Sequence, residues 1–191
     1  VNLSGIPADD IARGDVLAPV GILSPTNALD IHLKVLEDIP NNLKHNMFVT
    51  VHLGTAQQVG KLRLLDCDIA QPGEQVWAQI KLQSGFIALK NDYCIIRSNQ
   101  LTLGGGIVVE PHAKRHKRNH AGTIADLNLK RIGSAEDLII LSTDKPNPVR
   151  IESIIRETHL SETEIKKSLA DMIKSETIVR ITFSQNFYYQ A

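Results

Sequence analysis

The chain has 191 residues, room for one or two domains. With 42% hydrophobic and 22% charged residues it has the make-up of a folded protein that buries a core without disulfide staples. Its 21 basic and 21 acidic residues cancel, so net charge excludes any argument for a polyanionic partner except from local clusters. No apolar run approaches the ~18 residues of a membrane span, and no signal peptide is expected. A cytoplasmic protein without a membrane partner is expected. Cys67 and Cys94 both sit in apolar runs, which predicts reduced core thiols rather than a disulfide. The chain starts at Val1 without Met, inside what reads as a strand, so a piece of a longer protein is expected.

Taken in order, residues 1–5 read as a strand ending at Gly5. Pro7 begins a connector with a helical turn. Arg13-Gly14-Asp15 turns into a second strand at Val16-Leu17-Ala18. From Leu29 the pattern has period two: Ile31, Leu33 and Val35 point one way, His32 and Lys34 the other. Residues 38–42, with Pro40, form a loop. Met47, Val49, Val51 and Leu53 alternate again, and residues 59–65 make a further strand. Gln71-Pro72-Gly73-Glu74 is a turn. Val76, Ala78, Ile80 and Leu82 alternate next, and residues 85–90 are short and apolar.

Cys94-Ile95-Ile96-Arg97, a turn at Ser98-Asn99-Gln100, and residues 101–109 read as a hairpin. Gly104, Gly105 and Gly106 interrupt its second strand, which marks a bulge, a barrel corner or a close approach by another backbone. Short strands with regular turns and no helices between them predict a β-barrel or sandwich, with the last strand placed to close against the first.

Past Pro111 the pattern changes. Residues 112–122 read as a basic linker. Thr123 to Asp126 and Ser134 to Asp137 have the form of capping boxes, and Leu138 to Leu141 fill a helix that Pro146 breaks. Ile151, Ile154 and Ile155 sit at helical spacing. After a turn at Thr158-His159-Leu160, Ser161 and Glu164 form a full capping box ahead of Ile165, Leu169, Met172 and Ile173. Residues 178–183 and 187–189 then read as a hairpin. Two helices around a tight turn followed by a hairpin predict a winged helix.

Several of these stretches carry a family resemblance. Leu3-Ser4-Gly5-Ile6, an acidic pair and Ile11-Ala12-Arg13-Gly14-Asp15-Val16-Leu17-Ala18 resemble the closing segment of domain two in translational GTPases. Arg97, a polar turn, the glycine triplet and Val108-Val109-Glu110-Pro111 look like the last hairpin of domain three. The run of three glycines and His52-Leu53-Gly54-Thr55 are more similar to the bacterial selenocysteine-specific elongation factor than to elongation factor Tu. That family carries winged helices directly after its third β domain. The resemblance implies four parts: residues 1–23 ending β-barrel domain two, 24–111 as β-barrel domain three, 112–122 as linker and 123–191 as a winged helix.

The resemblance also implies a function. The parent would be a GTP-dependent factor that delivers selenocysteinyl-tRNA to the ribosome at recoded UGA codons, guided by an mRNA hairpin. GTP and Mg²⁺ would belong to its GTPase domain, leaving this chain without cofactor, metal or catalytic residues and not itself an enzyme. Arg97, Ser98, Asn99, Gln100 and Gly104 would contact tRNA, through its phosphate and 2′-OH groups. Where elongation factor Tu has two glycines in this turn, Asn99 and Gln100 stand here. A monomer is expected.

Three motifs are weighed on their residues alone. Gly54 to Leu62 imitates a phosphate loop but has five residues between its glycines and Leu62 where Mg²⁺ needs Ser or Thr. His112, His116 and His120 would share a helical face able to hold a metal, yet the stretch reads as linker and predicts solvated histidines. Lys114, Arg115, Lys117 and Arg118 form a basic patch able to meet RNA phosphates without reading sequence, or merely a soluble linker. The outward residues of the 161–174 helix carry mixed charge, which suits a spacer or docking role over DNA reading. A winged-helix DNA-binding regulator with an appended barrel, and a scaffold without nucleic-acid contact, stay open as alternatives.

Overall fold

The computed structural model describes residues 4–98, 101–182 and 186–190. The chain divides into two compact units, residues 1–124 and 125–191.

In the first unit the strands run β1 (Thr26–Val35), β2 (Leu43–Lys44), β3 (Met47–Leu53), β4 (Ala56–Leu64), β5 (Ile69–Ala70), β6 (Gln75–Phe86), β7 (Tyr93–Ser98) and β8 (Leu101–Glu110). Six of them close an antiparallel barrel in the order β1-β6-β4-β3-β7-β8, with β8 paired back onto β1. The closure expected between last strand and first is therefore present. The period-two pattern explains the core: Leu29, Ile31, Leu33 and Val35 of β1 meet Val49, Val51, Leu62, Leu64, Ala78, Ile80, Ile96 and Val108. Burying each such side chain contributes about 1.5–3 kcal/mol, which drives the sheet to curl onto its apolar face. β6 runs beyond the expected Leu82 and takes up Gly85 and Phe86, the start of the short apolar stretch.

The glycine run does not break β8. It lies where β8 meets β1, and a methyl added at Gly104 would sit 2.5 Å from the Lys34 carbonyl oxygen. At Gly106 it would sit 3.1 Å from the His32 carbonyl. Of the three readings of the glycines, close backbone approach applies at Gly104 and Gly106, and an irregularity of the bulge kind also falls beside Gly104. The pairing of β7 with β8 does shift register between Ile96 and Arg97.

One expectation near the start needs correction. No strand forms at residues 16–18; Val16 and Leu17 are exposed, because no neighbouring strand supplies partners for that backbone among the described residues. The connector after Pro7 does form a short 3₁₀ turn at Ala8–Asp10. Arg13 Nε donates to the Thr55 carbonyl at 3.0 Å, tying this segment to the β3–β4 turn. Residues 1–3 of the expected first strand lie outside the described residues, as do Asn99 and Gln100 of one predicted turn, residue 183 at the end of a predicted strand and residues 184–185 of the turn after it.

The later chain forms α1 (Ala121–Ile132), α2 (Ala135–Thr143), β9 (Val149–Arg150), α3 (Ile151–Thr158), α4 (Glu162–Lys174), β10 (Ile178–Thr182) and β11 (Asn186–Gln190). Reciprocal capping boxes start α2 at Ser134 with Asp137 and α4 at Ser161 with Glu164, as their spacing predicts. The cap expected at Thr123 is displaced. His120 Nδ1 instead accepts the Thr123 backbone N–H at 3.1 Å, so α1 begins one turn earlier than a Thr123 cap would set it. His159 ends α3 in the left-handed region at φ 58°. β11 pairs with both β10 and β9, a two-residue strand too short to read from periodicity. Ile139, Ile154, Ile165, Leu169, Met172, Ile178 and Tyr188 form the core of the second unit. Among the described residues no helix is long and apolar enough to cross a membrane.

Candidate nucleic-acid interface

The site grows from a row of polar side chains on the outer face of the barrel. Asp30 of β1 pairs in register with Gln79 of β6, and Gln79 pairs with Arg63 of β4. All three stand at outward positions of strands whose other faces fill the core. Asp30 and Gln79 are nonetheless buried, because residues 112–118 lie across them. Gln79 Nε2 donates to Asp30 Oδ1 at 2.9 Å and to the Lys114 carbonyl at 2.7 Å, while its Oε1 accepts from Arg63. Asp30 Oδ2 meets His116 Nε2 at 2.6 Å. Every polar atom of the two buried side chains thus has a partner, as burial requires.

Further bonds fasten the same segment. Ala113 N–H donates to the Ala28 carbonyl at 3.1 Å and Asn119 N–H to the Leu65 carbonyl at 2.7 Å. Arg118 donates to the Leu64 and Cys67 carbonyls and pairs with Asp68. The stretch expected as a solvated basic linker is therefore coil held against the barrel. His116, expected in solvent, is half-buried against a carboxylate. The reason lies in the strands: outward Asp30 and Gln79 need partners, and residues 114–116 supply a carbonyl and a ring nitrogen.

His45, Asn46, Arg63, Arg115, His116, Lys117 and Arg118 line an open groove of about 640 Å³. Burial and the nearby Arg118 charge push the His45 pKa below its ordinary value, so its ring is neutral at neutral pH, with Nδ1 3.2 Å from the Leu64 carbonyl. Burial, then the neighbouring Arg115 charge, also lower the Arg63 pKa, though a guanidinium remains charged. The groove is cationic and polar, suited to holding an anion.

The sequence-predicted residues fall in different places. Arg115, Lys117 and Arg118 line the groove, whereas Lys114 is exposed and does not line it, its carbonyl accepting from Gln79. Arg97 and Ser98 end β7, half-buried. Ser98 also lines a second hollow of about 350 Å³ with Pro40, Asn41, Asn42, Leu43, Met47, Leu101 and Leu103. Asn99 and Gln100 lie outside the described residues. Gly104, grouped with that turn by the sequence, is instead buried in the barrel wall against β1. Asp30, Gln79, Arg63 and His45 were not singled out by sequence reasoning. A lone Asp inside Leu29-Asp30-Ile31 was the available signal.

The three candidate metal-binding histidines do not converge. His112 Nε2 lies 3.5 Å from Ser24 Oγ, His116 meets Asp30, and His120 caps α1. Both cysteines are free thiols whose pKa is pushed up to about 11, chiefly by burial. The glycine and lysine stretch that imitated a phosphate loop is the β3–β4 turn and β4 itself.

Comparison with known proteins places the barrel. Residues 30–115 match the family described as selenocysteine-specific elongation factor, beta-barrel domain. The chain is also 31% identical over 142 residues to the selenocysteine-specific elongation factor of Desulfomicrobium baculatum, a match covering 73% of this chain and 22% of that protein. The chain spans only that smaller part of its relative's length.

Proposed function

We propose that this chain, whose barrel belongs to the selenocysteine-specific elongation factor family, works as part of a translation factor that delivers selenocysteinyl-tRNA to the ribosome at recoded UGA codons. The observation that carries this is the match of residues 30–115, which spans every strand of the barrel except the first few residues of β1. In this reading GTP and Mg²⁺ are bound by a GTPase domain elsewhere in the protein, and no hydrolytic step is assigned to residues of this chain. A cytoplasmic location follows from the same role.

The end of β7 would face the tRNA, with Arg97 and Ser98, and by the same reading Asn99 and Gln100, offering donors to phosphate and 2′-OH groups. The test is UGA decoding by the full-length factor carrying Ser98→Asp, which sets a negative charge at that turn. Affinity for selenocysteinyl-tRNA should fall about tenfold, as expected when a carboxylate is set against a phosphate, with the barrel's thermal stability unchanged. Full tRNA affinity in this variant, or saturable GTP binding by the present chain alone, would contradict the reading.

For the second unit we propose a winged helix that acts as an arm. Support comes from the order of α3, the His159 turn, α4 and a hairpin joined by β9. On α4, Lys166 pairs with Glu162 and Lys174 with Asp171, so those cations are matched within the helix itself. That favours docking or spacing over the alternative of a DNA-reading regulator. A gel-shift comparison of duplex DNA with acylated tRNA separates the two.

A further inference from the structure

We propose that the groove formed by His45, Asn46, Arg63 and residues 115–118 is a binding site for the phosphate backbone of RNA, separate from the turn at the end of β7. The choice of RNA rests on the translation-factor reading above; the anion site rests on the groove itself.

Four permanent cations converge there from two parts of the chain: Arg63 from β4, and Arg115, Lys117 and Arg118 from the strapped coil. Two are built in. Arg63 is held by Gln79 Oε1 and, at 3.2 Å, by the His116 carbonyl. Arg118 is held by Leu64, Cys67 and Asp68. A guanidinium has five N–H donors, and two bonds on Arg63 leave the rest for a ligand.

The other two are uncommitted. Arg115 and Lys117 are exposed, and neither forms an ion pair among the described residues. The acidic groups facing the groove are already matched, Asp30 by His116 and Asp68 by Arg118. Asp68 offsets Arg118 and Asp30 partly offsets Arg63, so the surplus positive charge is that of Arg115 and Lys117, and the repulsion between Arg63 and Arg115 accords with this. A folded protein holds such a cluster at a cost that a bound anion relieves.

The shape narrows the anion. The groove is open, and its lining includes no helix N-terminus and no glycine-rich loop to enclose a terminal phosphate. It also has no Phe, Tyr or Trp as a platform for a base, and its two imidazoles are engaged, His45 with the Leu64 carbonyl and His116 with Asp30. A run of cations along an open channel suits successive phosphodiesters. The exposed Asn46, held at φ 66° on the rim, offers an amide that can bond a 2′-OH.

The experiment uses the whole 191-residue chain and a fluorescein-labelled RNA stem-loop, with anisotropy titrations across a salt series. The Arg115→Ala/Lys117→Ala double variant should bind at least about tenfold more weakly at low salt. Its plot of log affinity against log salt should be shallower by about 1.5, the share of two phosphate contacts. Both residues are exposed coil, so the melting curve should be unchanged. Lys34→Ala/Lys81→Ala removes equal charge from exposed barrel positions outside the groove, and should leave affinity within about twofold and the slope within about 0.5.

Equal loss in both double variants, an unchanged slope in the groove variant, or no binding by the parent chain at low salt would each overturn the site. Polyglutamate binding as tightly as the RNA would overturn RNA as its occupant. The outcome is distinguishable from that of the functional reading. A groove that fails while the Ser98 turn still governs tRNA affinity sinks only the groove, and the reverse result sinks only the assignment of that turn.

Discussion

Gly104 and Gly105 are neighbours in one strand with opposite demands. A side chain at Gly104 would press on the Lys34 carbonyl, while at Gly105 the nearest atom to an added methyl is the Cys94 carbonyl oxygen at an ordinary 3.7 Å. Gly104→Ala should therefore cost about 1–3 kcal/mol through overpacking at the β1–β8 junction. Gly105→Ala should be near neutral, and thermal melts of the two variants check the contrast. His45 gives a pH prediction. Its folded pKa lies below the unfolded value of 6.5, because burial and Arg118 disfavour its charged form. The unfolded chain then binds more protons, so stability is full above that value and declines as pH falls toward the folded pKa. His45→Asn should flatten the decline between neutrality and mild acid, read from denaturant midpoints at successive pH values. The glycine run announces a special backbone in the sequence. Which glycine is indispensable depends on which strand lies alongside, and local sequence does not carry that register.

Among the elements, the helix starts are the most local and the most readable. Ser161 and Glu164 specify the start of α4 three residues apart, and both reciprocal bonds form. Ser161→Ala should cost about 1 kcal/mol of stability in the second unit. The Ser161 hydroxyl and backbone hold the Glu164 carboxyl below its ordinary range. That contribution is present above the unfolded carboxylate value and fades as pH falls through the folded one. Helical circular dichroism against temperature, at neutral and acid pH, measures both effects. The barrel strands are also legible, because their period of two separates core from surface residue by residue. The polar row of Asp30, Gln79 and Arg63 is not. Its members are scattered over three strands, and only the pairing of β1 with β6 and β6 with β4 lines them up. The same blindness made residues 112–118 look like free linker, since their partners sit as far as 88 positions earlier. At residues 16–18 the error ran the other way: apolar residues suited to a strand had nothing to pair with.

For the whole molecule, the two hydrophobic clusters share no residue. Ile165 is fully buried in the second, and Ile165→Ala should cost about 2–5 kcal/mol there. Trp77, the sole tryptophan, is buried in the first unit beside His32. Helical circular dichroism should therefore lose its transition at a lower temperature in this variant while the tryptophan fluorescence transition stays in place. A simultaneous shift of both signals would mean a single cooperative core. The strap over the barrel bears on a different matter, the timing of synthesis. β8 closes on β1, and the chain then crosses β1, β6 and β4 from outside before α1 begins. The groups that satisfy Asp30 and Gln79 emerge last from a ribosome that makes this unit from its amino end. A nascent chain halted just past Pro111 would hold all eight strands of this unit with a buried-type carboxylate bare on its outer wall, and should be cut by protease sooner than one released a few residues beyond Asn119.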